Sequence, residues 1–305
     1  MKQVLMGFVF SLAATCAFSQ NTSNNTLLWK ISGNNLVRPS YLFGTIHMLC
    51  ADDIQLSDSL KTAIKKADKV YLELDMDNIF EMLSVMGKMK MRNDTTLADL
   101  LTAQQYDSVK TYFKKQNTML PFSVVETYKP MLAASLLMQG SMDCTNEVAM
   151  EQLIMKEAKA QGKGVKGLET MAFQISIFDS IPYGIQAKQL LSLVEQTDSD
   201  SSDSAEDEFR EMSEAYRAQN LDTLEAITKR DDMGIANFTD LLLYKRNANW
   251  AQKLPGLMKD QALVIAVGAG HLPGDRGVIN LLRKAGYKVE PIRNDMSKKP
   301  PQKQL

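Results

Sequence analysis

Apolar residues form short alternating or unbroken runs mainly near the two ends of this chain, and this pattern predicts β-strands there. Residues 27–31 and 41–43 are two such segments, and Gly-Asn-Asn at 33–35 is typical of the turn of a β-hairpin. Near the other end, residues 261–292 contain a buried strand, a glycine-rich loop, a helix that stops at Gly286 and a last strand. Both ends of the chain are therefore predicted to contribute strands to a sheet.

Between these ends, apolar residues recur every three or four positions, which predicts helices. An amphipathic helix begins at Ser57 or Asp58, either of which can cap it, and the alternating segment 69–76 follows as a strand. Strand, helix and strand within about 35 residues are typical of a βαβ unit, which predicts parallel pairing. A further short strand is predicted at 165–168, inside a mainly helical region that extends from about 78 to 250.

A strand, a Gly-x-x-His loop and a helix follow one another once at each end of the chain. We therefore predict an α/β fold whose central mixed or parallel sheet is built from two pseudo-repeated halves of this kind. The large helical region, about 78–250, would cover the sheet as a cap. Within it, the acidic stretch 197–208 is predicted to be an exposed linker, and the tail 297–305 to be disordered.

The first 19 residues have the features of a secretory signal peptide. Lys2 precedes an apolar run of about ten residues and a small-x-small cleavage site that ends at Ser19. Cys16 leaves lipoprotein anchoring open as a less favoured alternative, because the residues before it fit a lipobox poorly. We expect an exported α/β domain, residues 20–296, in the periplasm or outside the cell. No transmembrane helix is expected in it, since no later segment has the roughly 18 uninterrupted apolar residues of a membrane span.

Export changes the interpretation of the cysteines, because disulfides form and persist in oxidising compartments. Only Cys50 and Cys144 remain after cleavage, and a single disulfide between them is the simplest interpretation. Two buried thiols are the alternative. The formal net charge of −1 over 305 residues gives no overall field that would attract nucleic acid, so no nucleic-acid partner is expected.

Only two histidines occur in the chain, and both stand three residues after a glycine in loops that follow predicted strands. His47 and His271 can therefore meet at the carboxyl ends of strands of one sheet, where α/β proteins bind ligands. Glu73 and Glu169 also follow strands and would reach the same edge. Two imidazoles and a carboxylate that leave one coordination position open are typical of a catalytic metal site. Each glutamate taken alone is equally well interpreted as a solvated acid at the end of a strand.

Other catalytic classes are disfavoured by the motifs. The chain has no G-x-S-x-G, no H-E-x-x-H and no P-loop. Gly268, Gly270 and Gly274 resemble a dinucleotide-binding loop, but too little chain follows them to complete such a fold. His271 would also occupy the space that a pyrophosphate needs.

Several segments together resemble the TraB/PrgY/GumN family, which includes the TIKI ectodomain proteases. The resemblance is thus to a TIKI-like metalloprotease superfamily. In chain order they are SYLFGTIHM (40–48), VYLELDM (70–76), VKGLETMAFQISIF (165–178), KRNANWAQKL (245–254) and VGAGHLPGDRGVINLLRKAGYKV (267–289). These segments cover nearly the whole mature chain, and the last one is long and distinctive.

The resemblance implies a divalent metal, Mn, Co or Zn, held by His47, His271 and Glu73, and a peptide or protein substrate. Glu169 would be the general base or a further ligand, and Arg246 would stabilise an oxyanion or bind a substrate carboxylate. From the residues alone, Arg246 could equally be a surface ion-pair residue. Two alternatives to a metal-dependent hydrolase remain: an envelope protein that sequesters a peptide or haem-like ligand without turnover, and a structural protein with a vestigial site.

Overall fold

The computed structural model describes residues 25–51, 54–116, 120–138, 146–197, 205–230 and 236–297. The predicted signal peptide 1–19, Cys16 and Cys144 lie outside these ranges, as do most of the acidic stretch and of the predicted tail. Within these ranges, no helix is long and apolar enough to span a membrane.

The strands of the described chain are short. Their bounds are β1 (Leu28–Ser32), β2 (Ser40–Thr45), β3 (Leu49–Cys50), β4 (Lys69–Leu74), β5 (Glu147–Val148), β6 (Gly164–Glu169), β7 (Leu263–Gly268) and β8 (Lys288–Pro291). Six of them form one sheet in the order β6-β4-β7-β2-β1-β8, and β3 pairs with β5 in a separate two-stranded ladder. Strands β2 and β7, at the centre of the large sheet, are the most completely buried.

The large sheet is mixed. Its four strands β6, β4, β7 and β2 are parallel neighbours, whereas β1 pairs antiparallel with β2 on one side and with β8 on the other. The predicted hairpin is therefore present, with Leu28 opposite Phe43. The predicted α/β class and its central mixed sheet are confirmed, while the pseudo-repeat of its two halves stays a prediction.

One expected pairing is wrong in detail. β2 and β4 run parallel, as the βαβ pattern predicts, but they are not neighbours, because β7 lies between them and pairs with both. All but the last residue of β7 are buried, so the strand from the far end of the chain fills the centre of the sheet. A fully apolar strand is stable in that position, since both of its faces are covered.

Helices cover the sheet and fill the middle of the chain. Their bounds are α1 (Asp58–Lys66), α2 (Ile79–Val85), α3 (Leu97–Leu100), α4 (Ala103–Lys115), α5 (Phe122–Val125), α6 (Pro130–Met138), α7 (Met150–Ala160), α8 (Met171–Phe178), α9 (Tyr183–Thr197), α10 (Ala205–Arg217), α11 (Leu221–Thr228), α12 (Lys245–Met258) and α13 (Val278–Lys284). Short 3₁₀ helices span Met86–Met89, Ala236–Phe238 and Ala269–His271, and a π-helical turn spans Asp240–Tyr244.

Local signals account for several of these boundaries. The Ser57 hydroxyl accepts a hydrogen bond from the Leu60 N–H and caps α1, as predicted. Gly286 ends the last helix with a φ of +90°, a conformation that glycine adopts without steric cost.

The apolar residues form two separate cores. The larger one surrounds the sheet and includes β7 and Trp250, whose side chain is fully buried. The smaller one lies among α3, α4, α6 and α9, with Leu97, Val109 and Leu190 at its centre. The sheet, with its own core, therefore positions the strand ends independently of the packing among these helices.

Candidate active site at the carboxyl ends of the parallel strands

The four parallel strands end at one edge of the sheet, and the polar side chains predicted from the sequence lie there. Glu73 is near the end of β4, Glu169 ends β6, and His271 lies in the short helix directly after β7. His47 lies two residues after β2. The paired register of β2 and β7, with Thr45 opposite Gly268, places the two histidine loops side by side.

The loop that carries His271 packs very closely on β2. A Cβ atom built on Gly44 would lie 2.8 Å from Leu272 Cδ1 and 3.1 Å from Ala269 Cα. These distances are too short for any side chain, so a glycine at position 44 allows the two loops to approach each other.

Arg246, on the first turn of α12, is at the centre of the cluster. Its Nη2 atom lies 2.5 Å from Glu73 Oε2 and 2.8 Å from Glu169 Oε2, and its Nε atom donates to Glu169 Oε2 at 2.9 Å. The side chain is largely buried and packs over the ring of Trp250, 4.9 Å from its centroid. Arg246 is therefore not a helix-surface residue, and it neutralises part of the charge of two carboxylates.

His271 is buried, and its protonation state follows from its neighbour. The Asn247 amide nitrogen donates to the carbonyls of Arg276 at 2.9 Å and of His271 at 3.4 Å, which directs the amide oxygen towards His271. That oxygen lies 2.6 Å from His271 Nδ1, so Nδ1 carries the proton and the lone pair of Nε2 accepts a hydrogen bond from Arg246 Nη1. Burial lowers the pKa of His271 to about 4, and the imidazole is neutral at pH 7.

The lone pair of His271 faces the rest of the cluster. Nε2 lies 3.3 Å from Arg246 Nη1 and 3.6 Å from Glu73 Oε1. A neutral imidazole held by a hydrogen bond at its other nitrogen is the usual form of a metal-binding histidine.

Glu73 is ionised in this environment. Burial by itself would raise the pKa of its carboxyl group. His271, which is protonated in the acid range where Glu73 titrates, the charge of Arg246 and a hydrogen bond from the Gly268 N–H lower that pKa to about 2. That N–H donates to Glu73 Oε1 at 2.8 Å. The carboxylate is thus held between the end of β7 and the guanidinium group.

Glu169 has one unmatched oxygen. Its Oε2 atom accepts hydrogen bonds from Arg246 and, at 3.1 Å, from the Gln174 amide, which also donates to Glu73 Oε2 at 3.2 Å. Its Oε1 atom is buried and has no hydrogen-bond partner among the described residues. A buried carboxylate oxygen without a partner is costly, and it marks a position that a cation, a water molecule or a substrate N–H would satisfy.

His47 lies at the same edge but outside the cluster. Its side chain is 75% exposed, and its Nδ1 atom lies 3.0 Å from Glu151 Oε1 at the start of α7. The hydrogen bond to Glu151 raises the pKa of His47 to about 9, so this imidazole is protonated at pH 7. In this conformation His47 and His271 therefore differ in charge, and the ion pair with Glu151 holds His47.

A cavity of about 680 Å³ opens over the strand ends. Its polar lining consists of His47, Glu73, Ser135, Glu147, Glu151, Gln152 and Gln174. Its apolar lining comes from strands, loops and helices around it: Met48, Leu72, Leu74, Met76, Val148, Ala149 and Met171. The cavity therefore joins the exposed histidine to the buried cluster through Glu73.

The residues present fit a divalent cation by charge and donor type. Glu73, Glu169, Arg246 and neutral His271 carry a formal charge of −1 together. The unpartnered Oε1 atom of Glu169 is a suitable ligand, and so is His271 Nε2 once Arg246 Nη1 leaves it. Among the described residues, no three His, Cys, Asp or Glu side chains are yet grouped closely enough to hold an ion. The Arg246 guanidinium lies between the donors, so coordination would require it to shift.

Three polar residues of this edge were missed by the sequence reasoning. Asn247, Gln174 and Glu151 lie on helices, and which neighbour each one faces depends on how its helix packs. Asn247 and Gln174 fall inside the quoted family segments, which was the available signal. Glu151 had none.

Fold and cluster together define an α/β protein with a buried site of two carboxylates, an arginine and a neutral histidine at the ends of parallel strands. The chain belongs to the TraB/PrgY/gumN family, which it matches over residues 27–291. The predicted family membership is confirmed.

Curated relatives of this chain are similar over most of its length but at low identity. Metalloprotease TIKI2 of Danio rerio is 22% identical over 320 residues, which cover 87% of this chain and 61% of the relative. Metalloprotease TIKI1 of Homo sapiens is 22% identical over 336 residues, covering 92% and 66%. The chain spans about three fifths of the length of the first of these relatives. No solved structure is significantly similar to it.

Proposed function

We propose that this protein is a metal-dependent hydrolase, and most specifically a peptidase. The proposal rests on one observation: a neutral histidine, whose Nε2 atom lies 3.6 Å from Glu73 Oε1, and a Glu169 oxygen without a partner belong to the same buried cluster of net negative charge. The distant relatives are named as metalloproteases, which supports the same chemistry.

In this proposal His271 Nε2, Glu73 and, after leaving Glu151, His47 hold a divalent ion, with Mn, Co and Zn as candidates. A bound ion of this kind lowers the pKa of a coordinated water molecule and polarises a substrate carbonyl. Asn247 keeps the proton on His271 Nδ1, so that Nε2 stays available as a ligand. His47 is protonated when paired with Glu151, so ligation requires it to lose that proton.

Glu169 is proposed as the general base, with Oε1 as the atom that accepts the proton of the attacking water. This oxygen has no hydrogen bond to lose, whereas Oε2 is held by Arg246 and Gln174. Arg246 binds two carboxylates, so its proposed part is to orient Glu169 and to stabilise the developing oxyanion. The cavity of about 680 Å³ is large enough for several residues of a peptide substrate.

Export and a Cys50–Cys144 disulfide belong to the same proposal. Residues 1–19 would be removed as a signal peptide, and the enzyme would act in the periplasm or outside the cell. Cys50 is paired with Glu147 in the β3–β5 ladder, and the Ala51 N–H donates to the Asn146 carbonyl. Because position 144 precedes Asn146 by two residues, this pairing supports a short path between the two sulfur atoms.

A peptide library incubated with the protein and Mn²⁺, Co²⁺ or Zn²⁺, and read by mass spectrometry, tests the proposal. We expect cleavage that chelators abolish and that Glu169→Gln reduces about 10²–10⁴-fold. Glu211→Gln is the matched control, because Glu211 is exposed and pairs with Arg230 away from the site. Peptide binding with no cleavage under any metal would replace the hydrolase with a sequestration protein.

A further inference from the structure

Exposed apolar side chains are concentrated beside the cavity. The described chain has eight large hydrophobic residues with well-exposed side chains: six lie within 76–86, Phe173 lies on α8, which contacts α2, and Val37 lies apart from these two segments in the sequence. We call the other seven the α2–α8 patch: Met76, Ile79, Phe80, Met82, Leu83, Met86 and Phe173. Phe80 is 82% exposed, the largest value among them. Clustered exposed apolar residues of this kind mark an interaction surface, whereas a single one such as Val37 does not.

The patch is formed by two helices, α2 and α8, that are packed together. Ile79, Met82, Leu83 and Met86 recur at helical spacing and so share one side of α2 and of the 3₁₀ turn after it, while Val85 is buried. Glu81 Oε1 accepts a hydrogen bond from the Met171 N–H at 2.6 Å, which ties α2 to the beginning of α8. The exposed side of α2 thus has a fixed position relative to the cavity.

The patch continues into the candidate active site at one end. Met76 belongs to the patch and also lines the cavity, and Met171, two residues before Phe173, lines it too. A chain that lies on the patch can therefore extend directly to Glu73. The seven residues of α2 measure about 10 Å, the length of about three residues of an extended peptide.

At its other end the patch meets a basic pocket of about 330 Å³. Lys88, Lys90 and Arg92 line it, and all three are exposed. The pocket also contains the pair of Lys129 and Asp179, which balance each other. The remaining positive charge suits an acidic group.

We propose that the α2–α8 patch is the docking surface for an extended polypeptide with about three apolar side chains next to an acidic residue, and that it directs this segment into the cavity. An anionic membrane fits less well. At the cavity end, Asp75 and Asp77 are paired with lysines, but Glu73, Glu147 and Glu151 line the cavity itself, so lipid headgroups there would face negative charge. A polypeptide can instead present acidic groups to the basic end alone.

This inference deepens the proposed function by naming its substrate class, and it is tested by binding, independently of turnover. Fluorescein-labelled peptides are titrated against the Glu169→Gln protein by anisotropy. The reference peptide contains Leu-Phe-Leu followed by Glu; in two others, Ser-Gly-Ser replaces the apolar triplet or Lys replaces the Glu. The same titrations are made with two further variants of the Glu169→Gln protein: one carries Phe80→Ser and Leu83→Ser, and the other carries only Val37→Ser. Circular dichroism checks the fold of both.

We expect the reference peptide to bind at least about tenfold more tightly than either altered peptide, because each buried apolar side chain contributes to affinity. Phe80→Ser/Leu83→Ser should remove this preference, and Val37→Ser should keep it. Equal affinities for the three peptides would overturn the proposal. The proposal would also be overturned if the protein did not distinguish the peptides but co-sedimented with phosphatidylglycerol vesicles, and if this co-sedimentation required Phe80. If the wild-type protein binds the reference peptide selectively but cleaves no peptide, the docking surface is supported and the proposed hydrolase function is wrong.

Discussion

Among the buried charged side chains of the described residues, the group around Lys129 and the cluster around Arg246 differ in how completely their charges are matched. In the helical region, Lys129 Nζ donates to the carbonyls of Lys88 at 2.7 Å and Ile175 at 3.2 Å and lies 3.1 Å from Asp179 Oδ1. Asp179 also accepts from Tyr183 and pairs with Arg92. Every donor and acceptor there has a partner.

The cluster at the strand ends is different. Its formal charge is −1, one oxygen of Glu169 has no partner, and the Nε2 lone pair of His271 faces a carboxylate and a guanidinium group. Buried charges that are fully paired link helices together, whereas incomplete pairing beside a cavity leaves atoms free for chemistry. The comparison indicates which group is structural and which is functional.

The largest effect on stability should come from Lys129→Met. Lys129 is only 1% exposed, and its removal leaves Asp179 and two carbonyls with fewer partners. We expect a loss of about 4 kcal/mol in the free energy of unfolding, measured by urea titration. Metal ions should not restore it. A loss below about 1 kcal/mol would contradict the structural role assigned to the group around Lys129.

Arg246→Met should have the next largest effect on stability, and in this variant the free energy of unfolding should depend on added metal. Without the guanidinium, Glu73 and Glu169 face each other with a formal charge of −2, which we expect to cost about 3 kcal/mol in chelator. Mn²⁺ should recover part of this loss by binding to the carboxylates. Identical recovery in Lys129→Met, the matched control, would contradict the assignment.

Asn247→Leu removes the acceptor that holds the proton of His271 on Nδ1. Metal affinity, measured by competition with a chelator, should fall about 10–100-fold. Asn280→Leu is the control, since Asn280 donates to Gly274 of the same loop at 2.9 Å without touching His271. Equal affinities in the two variants would show that the tautomer is not fixed by Asn247.

The smallest effect, per unit of pH, is a pH dependence of the metal-free protein. The pKa of His271 falls from 6.5 to about 4 on folding, so an unfolded chain binds a proton that the native one excludes. The contribution of His271 to stability should therefore be full above pH 6.5 and decline as the pH falls towards 4, by at most about 1.4 kcal/mol per pH unit. His271→Gln should remove this slope. His47→Gln should not, because the pKa of His47 is raised instead, to about 9.

The strand-end residues could be predicted from the sequence, because side chains that follow parallel strands meet at one edge of a sheet. Glu73, Glu169 and His271 were found in this way. Neither the position of β7 between β2 and β4 nor the pairing of His47 with Glu151 could be predicted. Both depend on contacts between segments distant in sequence, which local patterns do not encode.

The most direct test of the central claim, that this cluster holds a divalent cation, is the metal content of the purified protein. Elemental analysis after incubation with Mn²⁺, Co²⁺ or Zn²⁺ and desalting should give about one ion per chain. His271→Ala and His47→Ala should each lose it while their circular dichroism spectra stay native. A wild-type protein that retains no ion, or variants that retain as much as the wild type, would contradict the claim.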